Sequence, residues 1–230
     1  MYLWMQANLE RRDGAKQMLI EKSCLPKDSL KNKTILLTGG GGGIGYETAR
    51  ALVWLGAIVI IAEIDEEKGQ KAERAINEEF STDRAHFYPI DISDEKQIDE
   101  LYIYIKNCFG TLYAIFNNAT TAPLGPADTV SINDWDKSYY VNFRAPVLLI
   151  QKFLPDMKKN NEGIIIFVPS SGAAPYMGAY EVFKTSQVEL CNTLVGELEN
   201  TNIITYSIGP GLVNTATAQK GIETVANLMN

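Results

Sequence analysis

The segment TILLTGGGGGIGYETARALVWLG, residues Thr34–Gly56, decides the fold of this chain. Its aliphatic start is typical of a buried strand, and the part after the glycines places Ala49, Leu52 and Val53 on one face of a helix. Glycines between a strand and a helix let the backbone approach a ligand, and the N–H groups at a helix start attract phosphate. The segment therefore predicts a turn that binds a diphosphate, although glycine runs also occur as plain flexible loops.

The same alternation of apolar strands and helical segments continues to the end of the chain. Between helical segments lie five more strand-like runs: AIVIIAEID, HFYPID, LYAIFNN, GIIIFVPSS and IITYSIG. Continuous apolar strands separated by helices predict an α/β fold with a doubly wound parallel sheet of about six strands and helices on both faces, a Rossmann fold. We expect this domain over residues 30–230, preceded by a partly helical appendage over residues 1–29.

Composition excludes several classes of protein. The formal net charge of −7 over 230 residues disfavours a nucleic-acid partner. No run approaches the roughly 20 apolar residues of a membrane helix, and the first residues turn polar too soon for a secretory signal, so we expect a cytoplasmic protein without a membrane partner. Three widely spaced cysteines and the single histidine, His86, predict reduced thiols and no metal site.

An acidic residue stands where the second strand ends. Glu63 follows the glycine run by about 20 residues, where a carboxylate accepts hydrogen bonds from the hydroxyls of an adenosine ribose and repels a 2′-phosphate. Glu63 therefore favours NAD over NADP. The alternative is that it only ends a strand within an acidic stretch.

Tyr180 and Lys184 are the candidate reactive pair. A helical segment begins near Gly178, so residues four apart share one face. A phenol with its ordinary pKa of about 10 is a poor base at neutral pH, and a nearby ammonium lowers that pKa. Such a pair can exchange a proton with an alcohol or carbonyl oxygen. The same spacing also occurs on ordinary exposed helix faces.

Together these features resemble the short-chain dehydrogenase/reductase family, in its shorter single-domain branch. The resemblance rests on seven motifs that follow one another in family order: Thr38–Gly45, Asp91-Ile92, Asn117–Thr120, Asn142, Ser170-Ser171, Tyr180 with Lys184, and Pro210–Thr215.

The resemblance implies an NAD(H)-dependent oxidoreductase that acts on a small secondary alcohol or ketone. It implies four catalytic residues: Tyr180 as general acid or base, Lys184 to lower its pKa, Ser171 to bind the substrate oxygen, and Asn142 to support a water-linked proton path. Ser170 is the alternative serine. It also implies this set of cofactor-binding residues: Gly39, Gly43, Ile44, Gly45, Glu63, Asp91, Ile92, Asn118, Ala119, Tyr180, Lys184, Pro210, Gly211, Val213 and Thr215.

The chain departs from the family pattern at three places. Thr120 replaces a usual glycine, few residues separate Ser171 from Tyr180, and no seventh strand is predicted after Thr215. We expect a homo-oligomer, with a dimer favoured over the tetramer that the last strand commonly builds. A dinucleotide-binding sensor or scaffold with little turnover is the alternative function. An epimerase or dehydratase would need a longer substrate domain.

Overall fold

The computed structural model describes residues 24–170 and 174–229, and its sheet contains six strands that all pair in parallel. The strands are β1 (Thr34–Thr38), β2 (Ile58–Glu63), β3 (Ala85–Pro89), β4 (Ala114–Asn117), β5 (Gly163–Phe167) and β6 (Ile203–Ser207). The predicted doubly wound α/β fold is confirmed. Most of the expected N-terminal appendage, residues 1–23, lies outside the described residues, so the domain division stays a prediction.

Seven α-helices and one π-helical turn surround the sheet in the described part of the chain. They are α1 (Gly43–Trp54), α2 (Glu66–Phe80), α3 (Glu95–Phe109), α4 (Ile132–Tyr139), the π-helical turn (Tyr140–Arg144), α5 (Ala145–Asn160), α6 (Gly178–Glu197) and α7 (Ala216–Met229). The stretch after Thr215, where the sequence predicts no seventh strand, forms α7.

The strand order is β3-β2-β1-β4-β5-β6. The chain runs outward from β1 to β3 and then returns to the other side of β1, where β4 to β6 follow. A crevice opens beyond the carboxyl ends of β1 and β4, where the direction of winding reverses, and ligands of this class of sheet bind there.

The two faces of the sheet carry separate apolar cores, which explains the unbroken apolar runs of the strands. On one face α1 and α2 pack against β1 to β3, and on the other α3, α5 and α6 pack across the sheet. Successive strand residues alternate between the cores, so Leu36 and Leu37 are both fully buried, each in a different core.

Helix α1 begins without the side-chain cap that α2, α3 and α4 have. Side-chain oxygens of Asp65, Asp94 and Ser131 accept backbone N–H bonds at the starts of α2, α3 and α4. The N-cap of α1 is Gly42, which has no side chain to do this. The first amides of α1 therefore face the crevice without a side-chain cap.

The cysteines and His86 are the residues that could form disulfides or bind a metal, and the structure shows where they lie. The three cysteines are not joined in disulfides. The ring of His86 packs on Phe109 with ring centroids 4.9 Å apart. Within the described ranges no three His, Cys, Asp or Glu side chains group to hold a metal, and no helix is long and apolar enough to cross a bilayer.

Close packing of α2 on β3 makes Gly69 sensitive to substitution. A Cβ atom at Gly69 would lie 2.2 Å from the Phe87 ring, so Gly69→Ala should lower the free energy of unfolding by about 1–3 kcal/mol through overpacking. Gly196 on α6 has open space around it, and Gly196→Ala should raise the free energy of unfolding by about 0.5–1 kcal/mol. Urea unfolding measures both, and equal effects of the two substitutions would contradict this packing.

Candidate functional site

The glycine turn between β1 and α1 is compact because it lacks side chains. Gly39 and Gly43 have positive φ angles of 67° and 53°, a left-handed backbone that favours glycine. A Cβ atom at Gly45 would lie 2.1 Å from the Gly39 carbonyl oxygen, and one at Gly39 would lie 2.8 Å from the Cα of Ala119. The turn thus packs tightly against the end of β4, and Ile44 continues it as a half-buried residue.

Thr38 and Asn118 join the carboxyl ends of β1 and β4. The Thr38 hydroxyl oxygen accepts hydrogen bonds from the backbone N–H groups of Asn118 and Ala119, both at 3.1 Å. The Asn118 side-chain amide donates to the carbonyls of Thr38 and Gly39, both at 3.0 Å. Asn118 therefore braces the glycine turn, a contact that the motif did not reveal.

Glu63 lies against the glycine turn. Its Oε2 atom accepts a hydrogen bond from the Gly41 N–H group at 3.0 Å, and its Oε1 atom accepts from Ile64 at 3.0 Å and Asp65 at 3.2 Å. These bonds hold the carboxylate at the end of β2 beside the crevice. The contact of Glu63 with an adenosine ribose stays a prediction.

The other cofactor-binding candidates lie on two loops. After β3, Asp91 Oδ1 accepts hydrogen bonds from the N–H and hydroxyl groups of Ser93, and Ile92 is buried. The loop between β6 and α7 holds Pro210, Gly211 and Val213.

That second loop ends at Thr215, which brings it to the glycine turn. A Cβ atom at Gly43 would lie 3.2 Å from Thr215 Cγ2, and the Thr215 hydroxyl oxygen accepts a hydrogen bond from the Ala218 N–H group in the first turn of α7. The crevice is thus bordered by the starts of α1 and α7.

Asn142 is a fully buried junction within the π-helical turn. Its Oδ1 atom accepts from the Thr120 hydroxyl at 2.9 Å and the Thr121 N–H group at 3.0 Å. Its Nδ2 atom donates to the Thr121 carbonyl and to the Ser138 hydroxyl, both at 2.8 Å. The Asn142 side chain therefore fastens the loop after β4 to the helices behind it.

Thr120 has a definite role where the family has glycine. Thr120 is exposed, and its hydroxyl donates a hydrogen bond to Asn142 Oδ1. Thr120 therefore helps to hold the buried side chain of Asn142 in place. The departure from the family motif at this position therefore adds a hydrogen bond.

Tyr180 lies half-buried in the first turn of α6, beside Ser170 and Glu181. Burial raises the pKa of the Tyr180 phenol above its ordinary value, a hydrogen bond with Ser170 lowers it, and the nearby Glu181 charge raises it. The Ser170 hydroxyl also donates to Glu181 Oε2 at 2.6 Å. Ser171 lies outside the described residues, so Ser170 is the described serine beside the phenol.

Lys184 is buried one turn further along α6, with 2% of its surface exposed. Its Nζ atom has no hydrogen-bond partner among the described residues, and burial lowers its pKa to about 7. Lys184 is not among the causes of the Tyr180 pKa shift, and the expectation that it lowers this pKa stays a prediction. The net shift of the phenol is upward because burial outweighs its hydrogen bond, while burial also disfavours the lysine charge.

Two buried polar residues that the motifs missed complete the site. Ser138 on α4 donates from its hydroxyl to the Ala179 carbonyl at 2.9 Å, which joins α4 to the turn that carries Tyr180. Gln187 on α6 is fully buried, and its Nε2 atom donates to the backbone carbonyl of Asn142. In the sequence, Gln187 could have been found from its position three residues after Lys184, which places it on the same helix face.

A cleft of about 660 Å³ lies between the loop after β4 and helix α7. Leu124, Pro126 and Val130 line one side, and Thr224 and Leu228 line the other. The same loop touches the start of α6, where the Gly125 N–H group donates to the Tyr176 carbonyl at 2.8 Å. This cleft therefore borders the segment that carries Tyr180.

Comparisons with known proteins agree with this geometry. A family model described as short chain dehydrogenase matches residues 33–226. The chain belongs to the short-chain dehydrogenase family. An uncharacterized oxidoreductase of Mycobacterium bovis is 31% identical over 196 residues, which cover 82% of this short-chain dehydrogenase and 57% of the relative. The chain thus spans less than two thirds of the length of that relative.

Solved structures of other family members superpose closely on this one. NAD+-bound xylitol dehydrogenase has a TM-score of 0.80 at 25% identity, covering 86% of this chain and 77% of its own. A short chain dehydrogenase from Shigella flexneri in complex with NADP has a TM-score of 0.80 at 26% identity, covering 86% and 85%. The family therefore includes proteins that bind either cofactor.

Burial of Lys184 should make stability depend on pH. The folded-state pKa of about 7 lies below the ordinary lysine value of 10.5, so the unfolded chain binds more protons between these values. The Lys184 ammonium therefore lowers the free energy of unfolding by its full amount below about pH 7. The free energy of unfolding then rises as the pH rises from about 7 toward 10.5, because Lys184 loses its proton in the folded state first. Between pH 7 and 9, the free energy of unfolding should rise in the wild type relative to Lys184→Met by up to about 2 kcal/mol.

Urea unfolding at several pH values measures this difference. Lys71→Met, which removes an exposed lysine on α2, is the matched control and should leave the pH dependence unchanged. Parallel stability curves for the wild type and Lys184→Met would show that Lys184 keeps its ordinary pKa.

Proposed function

We propose that this chain is an NAD(H)-dependent oxidoreductase that transfers a hydride between nicotinamide and a secondary alcohol or ketone, with Tyr180 as the general acid–base. The observation that carries the proposal is the pairing of a half-buried phenol with an unpartnered buried amine on the next turn of α6. An unpartnered buried amine is costly for the fold, so a ligand that supplies its acceptor is the physical reason to keep it.

The residues around the crevice fit a nicotinamide dinucleotide. The uncapped start of α1 and the side-chain-free glycine turn suit a diphosphate, and Lys184 Nζ suits the hydroxyls of a ribose. The bound cofactor would supply the hydride chemistry. Gly39, Gly43 and Gly45 would border the diphosphate, and Glu63 would accept hydrogen bonds from the adenosine ribose, which favours NAD over NADP.

The remaining candidates keep the roles that the family resemblance implies. Asp91, Ile92, Asn118 and Ala119 would line the adenosine side. The loop from Pro210 to Thr215 would lie at the nicotinamide end, and Ser171 stays a predicted contact of the substrate oxygen, with Ser170 as the described alternative beside the phenol.

The raised pKa of Tyr180 favours one direction at neutral pH. Since burial keeps the phenol protonated, it is ready to donate a proton to the oxygen that forms when a ketone is reduced. Oxidation of an alcohol needs the deprotonated phenol and should gain rate as the pH rises. A small substrate would enter from the cleft between the loop after β4 and α7, whose lining mixes apolar and polar side chains.

The proposal also takes the protein to be cytoplasmic and a homo-oligomer, with a dimer favoured over a tetramer. The dimer would form through the helical segments that carry Asn142 and Tyr180. Exposed apolar side chains at Tyr139, Tyr140 and Val182 support this, because they lie on those segments. Location and assembly otherwise stay predictions from the sequence.

Removal of the Tyr180 hydroxyl tests the proposed chemistry. Tyr180→Phe should reduce kcat for ketone reduction by about 10²–10⁴-fold, because the general acid is lost while the ring remains. NADH affinity, measured by fluorescence titration, should change little. Tyr104→Phe on α3 is the matched control and should retain full turnover.

The sensor alternative predicts a different result. Tight NADH binding with no turnover across a panel of secondary alcohols and ketones, in both the wild type and Tyr180→Phe, would favour a sensor or scaffold.

Glu63→Gln tests the cofactor preference. Loss of the negative charge should reduce the preference for NADH over NADPH by about tenfold, which corresponds to about 1.4 kcal/mol of lost discrimination. Glu66→Gln removes a charge from the exposed first turn of α2 and should leave the preference unchanged. Dissociation constants for both cofactors provide the measurement, and tighter NADPH binding by the wild type would overturn the assignment.

A further inference from the structure

Gln187 is the buried polar residue of the site that the proposed chemistry leaves unexplained. It is 0% exposed, on the face of α6 that also carries Lys184. A buried side-chain amide is costly unless its donor and acceptor are both used. Gln187 uses its donor, because Nε2 donates to the Asn142 carbonyl, but Oε1 has no partner within the described residues.

The Asn142 carbonyl lacks its ordinary α-helical donor because of the local sequence. In an α-helix it would accept from the N–H group four residues further on, but that residue is Pro146, which has no N–H. The π-helical turn lies at the same place. The amide of Gln187 fills this gap and so ties α6 to the turn that carries Asn142.

The two unpartnered atoms of this region are chemically complementary. Gln187 Oε1 only accepts hydrogen bonds and Lys184 Nζ, when charged, only donates them. The residues are three apart on one helix, so their side chains extend over the same surface. Burial is the only cause of the lowered Lys184 pKa among the described residues, and no carboxylate contributes to it.

We propose that Gln187 is a positioning residue for Lys184: its Nε2–H group holds the Asn142 carbonyl, and its Oε1 atom accepts a hydrogen bond from a buried water that in turn accepts one from Lys184 Nζ. The inference deepens the proposed function, since it concerns the lysine of the reactive pair. A charged lysine carries three N–H donors, so one hydrogen bond on the Gln187 side leaves two donors whose acceptors a ligand would supply.

The test uses the full chain without cofactor, so that it does not depend on turnover. The protein is labelled with ¹³C,¹⁵N-lysine, the Lys184 signal is assigned by its loss in Lys184→Arg, and its side-chain shifts are followed against pH. Gln187→Met keeps the length of the side chain but removes the carbonyl acceptor. It should lower the Lys184 pKa by about one unit relative to the wild type, because the charged form loses its hydrogen bond.

Two further variants make the result decisive. Gln187→Glu restores an acceptor and adds a charge, so it should raise the Lys184 pKa above that of the wild type. Gln151→Met, at an exposed position on α5, should not change it.

If Gln187 only donates to the Asn142 carbonyl and does not position Lys184, the variants should give different results. Gln187→Met would then lower the free energy of unfolding while the Lys184 pKa stayed within about 0.2 units of the wild type, and that result would overturn the proposal. If Gln187→Met does not fold, Gln187→Leu, which also removes the acceptor, provides the same comparison. A protein that shows the expected pKa changes but no turnover would retain this inference and lose the proposed function.

Discussion

The hydrogen bonds of Thr38 and Asn118 across the ends of β1 and β4 are the constraint on which the rest of the site depends. β1 leads into the glycine turn and β4 leads into the loop that reaches Asn142, so these hydrogen bonds form a clamp that holds the turn and the loop together at the crevice. Both residues satisfy backbone groups that neither strand can pair. Tight packing of Gly39 and Gly45 follows from the same closeness.

Beyond the loop after β4, four buried polar residues occupy positions that are apolar elsewhere in the core. Ser138, Asn142, Lys184 and Gln187 are all buried at the meeting of α4, the π-helical turn and α6. Ser138 and the Asn142 side chain are fully bonded, whereas Lys184 and Gln187 each keep one unpartnered atom. Buried polar groups cost stability unless they are paired, so the two unpartnered atoms make this part of the fold less stable than an apolar core would be.

Protonation within the site follows from burial. The phenol of Tyr180 and the ammonium of Lys184 both shift toward their neutral forms, the first by a raised pKa and the second by a lowered one. A low-dielectric site disfavours both charges for the same reason. The pair therefore rests as a neutral acid beside an amine whose proton is weakly held, and a ligand that contacts Lys184 would change the balance.

Local patterns were enough to predict the six strands, the glycine turn and the shared helix face of Tyr180 and Lys184. Each of these features depends on a short repeat of apolar residues along the chain or on the conformations that glycine allows. None of them requires contacts between distant segments. The partners of Asn142, the contact of Ser170 with Tyr180 and the direction of the phenol pKa depended on the tertiary structure. Burial and hydrogen-bond partners arise only when segments far apart in the chain, such as Thr120 and Asn142, are brought together by the sheet.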